Sequence, residues 1–143
     1  MELIKLNKDS GEHSVFTSER ITDFLLEELD KFGNYKSSIR ECLEYIFKEG
    51  GFIMLAADGE EIVGAIVISR NEMGGYLPKN TLIYLAVKKG YRGHGVGKEL
   101  ILSAMGELEG SVSLFVEPDN PARFLYEKMG FTCKYIEMRL IRD

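Results

Sequence analysis

Leu82-Ile83-Tyr84-Leu85-Ala86-Val87-Lys88-Lys89-Gly90-Tyr91-Arg92-Gly93-His94-Gly95-Val96-Gly97-Lys98 is the stretch on which the reading of this chain turns. Leu82 to Val87 is apolar apart from the Tyr84 hydroxyl, as a strand covered on both faces should be. Leu100, Ile101, Ala104, Met105 and Leu108 then recur at helical spacing. Between strand and helix stand three glycines at alternate positions. Glycine lets backbone approach a ligand closely and adopts positive φ. Successive N–H groups in such a loop form a concavity for anions, and the helix start adds unpaired N–H groups and a positive dipole end. Arg92 and Lys98 bracket the loop with positive charge. The spacing predicts a phosphate or pyrophosphate held by the backbone of Gly93, His94, Gly95, Val96, Gly97 and Lys98, the His94 side chain playing no part.

Two other phosphate motifs compete for this loop. A P-loop needs G-x-x-x-x-G-K-S/T. With Gly97-Lys98 as its GK, the first glycine falls on Arg92 and Glu99 replaces the hydroxyl residue, so it fails. The dinucleotide fingerprint needs G-x-G-x-x-G, and Gly93, Gly95 and Gly97 give G-x-G-x-G. Glu117 does lie after a strand at about the ~20-residue distance expected of the acidic partner, which keeps that reading open.

Working outward, Leu3, Ile4 and Leu6 suggest a first strand. Ser18 suits a helix cap ahead of Ile21, Phe24, Leu25, Leu29 and Phe32, with Gly33 as the stop. Ser37 or Ser38 would cap a second helix presenting Ile39, Leu43, Ile46 and Phe47, ending at Gly50-Gly51. The period then changes. Phe52 to Ala57, the Asp58-Gly59 turn and Ile62 to Ser69 read as a hairpin. Asn71 to Asn80 reads as a loop. Beyond the glycine segment, Ser111 to Val116 is a strand. Pro121 suits the first position of a helix that turns Phe124, Leu125 and Met129 inward and ends at Gly130. Phe131 to Ile141 is expected to return as a strand. The order β-αα-ββ-β-α-β-α-β describes an α/β protein with a mixed sheet and one right-handed parallel crossover.

The chain of 143 residues is 45% apolar, enough for the core of one domain, and no linker or repeat divides residues 1–143. A net charge of -5 argues against general nucleic-acid binding. It suits a cationic substrate such as an amine, but most such charge serves solubility. Cys42 and Cys133 form no CxxC pair and, with His13 and His94, no visible metal-ligand set, so no metal is expected. The opening MELIKLNKDSGEH carries Glu2 and Lys5 within its apolar stretch and does not read as a signal peptide. No apolar run approaches the ~20 residues of a membrane span. The expected location is a reducing cytoplasm.

Taken together, Leu85-Ala86-Val87 and the loop through Lys98 resemble the pyrophosphate-binding motif of the GCN5-related N-acetyltransferase (GNAT) superfamily. That motif is a strand ending in apolar-x-Val, a short charged loop, then Gln/Arg-x-x-Gly-x-Gly/Ala. Arg92, Gly95 and Gly97 fill its fixed positions. Asn120-Pro121-Ala122-Arg123-Phe124-Leu125-Tyr126-Glu127-Lys128-Met129-Gly130-Phe131 resembles the second family motif, in the right order.

The resemblance implies a single acyl-CoA N-acyltransferase fold, its mixed sheet carrying a splayed parallel strand pair and its helices lying on both faces. It implies acetyl-CoA as cosubstrate and a primary amine, of a small molecule or a peptide or protein, as acceptor. The pantetheine arm would enter the splay, bonding the backbone of Leu85 and Val87, and one N–H would polarise the thioester carbonyl. Asn120 matches a pantetheine contact and also suits a turn ahead of Pro121. Tyr126 matches the tyrosine that protonates the departing thiolate, its pKa of ~10 lying above the ~8.5 of a thiol. The amine attacks directly, without Cys42 or Cys133 as acyl carrier. A non-catalytic CoA-binding or sensor module of the same fold is the alternative.

Two departures from the family pattern stand out. A glutamate base used by some members aligns with Thr81, leaving Glu72, Glu117, Tyr76 and Tyr84 as substitutes. The stretch after Gly130-Phe131 is shorter than the usual final hairpin and has no turn signal. The acceptor cleft is therefore either open or completed by a second subunit, as in a homodimer.

Overall fold

The computed structural model describes residues 1–142. Strand β1 (Glu2–Leu6) is followed by helix α1 (Ser18–Leu29), a 3-10 turn over Asp30–Phe32 and helix α2 (Lys36–Lys48). Strands β2 (Gly51–Asp58), β3 (Glu61–Arg70) and β4 (Asn80–Val87) come next. Helix α3 (Val96–Gly106), the short strand β5 (Val112–Leu114) and helix α4 (Ala122–Lys128) complete the elements. The sheet runs β1-β2-β3-β4-β5, antiparallel except for the β4–β5 pair. No helix among the described residues is long and apolar enough to cross a membrane.

Alternation along the central strands builds two cores. Ile53, Leu55, Ala65, Val67 and Ala86 face α1 and α2, meeting Ile21, Leu25, Ile39, Leu43 and Ile46. Phe52, Met54, Ile66, Ile68 and Leu82 face α3, meeting Leu100, Ile101 and Ala104. Helices therefore cover both faces, as the sequence resemblance implies.

Several boundaries differ from expectation. Thr17, not Ser18, caps α1, its hydroxyl accepting from the Arg20 N–H at 3.3 Å. Helix α2 starts after Tyr35 without a side-chain cap, earlier than Ser37 or Ser38. Pro121 sits just outside α4 rather than at its first position. Phe124 points outward, 69% exposed, because Tyr126 and Leu125 take the inner side of this two-turn helix.

The largest correction concerns Phe131 to Ile141, which forms no strand. Phe131 is anchored, donating its N–H to the Tyr126 carbonyl at 3.0 Å. Beyond it no backbone group finds a partner among the described residues. The residue pattern there is strand-like, but a strand exists only beside another.

Candidate functional site

The site begins with a defect in β4. Val67 pairs with Tyr84 and Ile68 with Leu82, so Ile83 is an extra residue, a β-bulge. The phase of the strand slips there: Leu82 and Leu85 face α3, whereas Ile83 and Tyr84 both face α1 and α2. A bulge bends its strand and strengthens local twist. On the other side, β4 pairs with β5 only at Asn80–Val112, Thr81–Ser113 and Leu82–Leu114. Pairing thus stops where the bulge starts, and Ile83 to Val87 have no strand opposite them. The paired half is held by Asn80, buried at the start of β4, whose Nδ2 donates to the Glu109 carbonyl at 2.8 Å and the Ser111 carbonyl at 3.3 Å.

Backbone direction in the open half follows from one bond. The Lys88 N–H donates to the Val63 carbonyl on the β3 side at 2.8 Å. Neighbouring residues of a strand alternate, so Leu85 and Val87 direct their N–H and C=O groups into the gap left by β5, and Ala86 directs its own toward β3. The Val87 carbonyl is already engaged by Arg92 Nε at 2.8 Å. The same guanidinium donates to the Glu28 carbonyl at 2.9 Å and to Glu28 Oε1 at 3.2 Å. Glu28 Oε1 also accepts from the Lys89 N–H at 2.9 Å. Arg92 therefore ties the end of β4 to the last turn of α1, where a cation also meets the negative end of the helix dipole.

Past that clamp the chain turns through Gly93 (φ +81°) and Gly95 (φ +85°) into α3. The first helical bond runs from the Glu99 N–H to the Gly95 carbonyl. The N–H groups from Gly93 to Lys98 find no acceptor among the described residues. Gly97 serves packing instead: a Cβ there would lie 3.2 Å from Leu125 Cδ2 and 3.6 Å from Val87 Cγ2. The start of α3, the end of β4 and α4 therefore converge on one point.

Tyr126, on the next position of α4, is 7% exposed, and its ring meets Phe131 edge-on at 5.7 Å. Burial pushes its phenol up to about 12. Its hydroxyl has no hydrogen-bond partner among the described residues. Asn120 Oδ1 accepts from the Ala122 N–H at 2.9 Å, fixing the entry to α4, and the amide Nδ2 has no acceptor among the described residues. Both roles foreseen for Asn120 are compatible with this geometry.

Of the candidate bases, Glu117 is exposed in the turn that leads into α4, its carbonyl accepting from the Asn120 N–H at 3.0 Å. Glu72 is exposed and paired with Arg70 at 2.7 Å, and Tyr76 is exposed. Tyr84 is buried on the α1 and α2 side, accepting from Asn34 Nδ2 at 2.9 Å; burial raises its pKa. Burial also raises the Cys42 thiol to about 11, keeping it protonated, and Cys133 is exposed rather than buried. Sequence reading missed Glu28, whose partners lie more than sixty residues away. It also missed Asn80, whose only signal was a polar residue opening an apolar strand.

Comparison with known proteins adds an independent line. The model of the acetyltransferase (GNAT) family matches residues 18–131. N-alpha-acetyltransferase 30 of Schizosaccharomyces pombe is 28% identical over 89 residues, which span 59% of this chain and 59% of that protein. A protein described as a transcriptional regulator from Bacillus halodurans superposes with a TM-score of 0.73 at 18% identity, covering 99% of this chain and 100% of that one. An aminoglycoside N-acetyltransferase solved with CoA superposes with a TM-score of 0.71 at 14% identity, covering 99% and 93%. At these identities the superpositions establish a shared fold.

Proposed function

The chain belongs to the acetyltransferase (GNAT) family, and from that premise we propose that it transfers the acetyl group of acetyl-CoA to a primary amine. One observation carries the reading: a run of unpaired N–H groups from Gly93 to Lys98 opens beside the unpaired edge of β4. The first suits a pyrophosphate. The second suits an extended amide-bearing arm that adds to a sheet edge as a strand would.

In this reading the arm bonds Leu85 and Val87, and an N–H in the gap stabilises charge developing on the thioester oxygen as the amine attacks. Tyr126 faces the departing sulfur. A phenol at about 12 holds its proton throughout the neutral range. Full transfer to a thiolate whose conjugate acid lies near ~8.5 is uphill, so its proposed role is a hydrogen bond that strengthens as charge builds on sulfur. Asn120 Nδ2 is a further donor to the arm.

The acceptor is proposed as an amine of a small molecule or of a peptide or protein. The test is CoA release by purified protein on a panel of amines and N-terminal peptides, run beside a direct binding titration with acetyl-CoA. Turnover with at least one acceptor supports the enzyme. Tight acetyl-CoA binding with no turnover on any acceptor favours the sensor reading, and no binding at all removes both.

A further inference from the structure

At the end of the sheet away from the glycine loop lies a cavity of about 290 Å³, walled by the ends of β1, α2, β3 and α3 and by the start of β4. Its charge is one-sided. Lys5 pairs with Glu107 at 3.3 Å and Arg70 with Glu72 at 2.7 Å. That leaves Asp9 and Glu49, unpaired among the described residues, against Lys8 alone. Two helix ends add to the excess. Glu49 and Glu107 are the C-caps of α2 and α3, where the dipole is negative and a carboxylate is disfavoured. Local conflicts of this kind gather at functional sites. A buried amide faces the same space. Asn80 is 3% exposed, and its Nδ2 is engaged by the Glu109 and Ser111 carbonyls. Its Oδ1 accepts from no donor among the described residues. Every side-chain oxygen sealed from solvent there has a partner, so this one opens on the cavity that Asn80 lines. Lys5 shows what the space takes: its ammonium stands 5.1 Å from the centre of the Phe52 ring while it pairs with Glu107.

We propose that this cavity is a second binding site, for a small primary alkylammonium ion. The ammonium donates to Asn80 Oδ1 and is neutralised by Glu49 and Asp9, and its alkyl part packs on Phe52 and Leu108. An anion is disfavoured, because two of the three cations in the wall are already paired and both helix ends repel it. The site is separate from the acetyl-transfer site. Asn80 opens β4, and five residues of strand, roughly 15 Å, part it from Leu85 in the open half. The proposal therefore stands independently of the acetyl-transfer reading.

Titration of the full chain with butylammonium, followed by NMR shifts of backbone and side-chain amides, tests it. Saturable shifts are expected at Gly50, Gly51, Phe52 and the Asn80 side chain. Butyltrimethylammonium has the same charge and no N–H, so Asn80 Oδ1 has nothing to accept from it. It should bind at least ~10-fold more weakly. The pair Asp9→Asn with Glu49→Gln should raise the butylammonium dissociation constant at least ~5-fold. Both residues are exposed, so this variant folds and carries the test. Shifts confined to Leu85 through Lys98 would place amine binding at the acetyl-transfer site alone; they overturn the second site and leave the proposed function standing. No saturable shift at Gly50, Gly51 and Asn80 overturns it as well. So does equal binding of the two cations, or binding undiminished in the double variant.

Discussion

Tyr126, Gly95 and Gly97 show how much a single residue's surroundings decide. The Tyr126 ring is buried, whereas its hydroxyl, without a partner among the described residues, reaches solvent, so its removal leaves no orphaned group behind. Tyr126→Phe is expected to leave the melting temperature at pH 7 nearly unchanged while lowering kcat on the order of 10²-fold, the usual worth of one donor to developing charge. Because burial raises its folded pKa to about 12, the neutral phenol is indifferent below its unfolded value of ~10, and its ionisation destabilises the fold relative to that state as pH climbs from ~10 toward 12. Wild type should therefore lose stability in this window more steeply than Tyr126→Phe, a comparison that denaturant titrations from about pH 9 to about pH 12 would make. The glycines separate by cause. Gly95 sits at φ +85° with open space around its missing Cβ, so Gly95→Ala costs backbone strain of roughly 1–2 kcal/mol. Gly97 has helical backbone, and Gly97→Ala gains ~1 kcal/mol of helix propensity against a 3.2 Å contact with the movable end of Leu125. Thermal melts should rank Gly95→Ala as the more destabilised, and equal losses would refute this division of labour.

At the scale of elements, the gap beside β4 depends on two devices, the Ile83 bulge and the Asn80 clamp. Asn80→Ala removes the donor shared by the Glu109 and Ser111 carbonyls, which belong to exposed residues that water can reach, a loss of about 0.5–1.5 kcal/mol. Amide exchange should show residues 112–114 opening faster, with β2 and β3 unaffected; unchanged protection of β5 would deny Asn80 its role. Neither device was legible in advance. Leu82 to Val87 is apolar at almost every position, so a slip of phase leaves no trace in the residue pattern, and the bulge emerges only from pairing with β3. The hairpin at Asp58-Gly59 and the glycine-flanked helices were legible because local geometry alone demands those residues. The stretch from Phe131 to Ile141 misled for the complementary reason. Its alternation is a local property, but strand formation depends on a neighbour that sequence order does not supply.

For the molecule as a whole, the fold leaves unmet the groups that the proposed ligand would meet, and that has a thermodynamic consequence. N–H groups from Gly93 to Lys98 and the β4 edge at Leu85 and Val87 are arranged only when β4, α3 and α1 are assembled. A ligand that binds this arrangement and not the unfolded chain stabilises by RT ln(1 + [L]/Kd), about 2.7 kcal/mol at 100 times Kd. For a chain of this size that corresponds to a rise in melting temperature of roughly 8–10 °C. Acetyl-CoA and CoA should both produce it, and NAD should not; an equal rise with NAD would restore the dinucleotide reading. Arg92 then reveals how the loop is held. Its guanidinium faces Val87 and Glu28, so its contribution is expected through the fork of bonds and not through charge near the ligand. A lysine keeps the charge but cannot bond the Val87 carbonyl and both Glu28 acceptors at once. Arg92→Lys should therefore lose most of the acetyl-CoA-induced rise, as Arg92→Ala does. A full rise in Arg92→Lys, with loss only in Arg92→Ala, would show that charge is what Arg92 supplies.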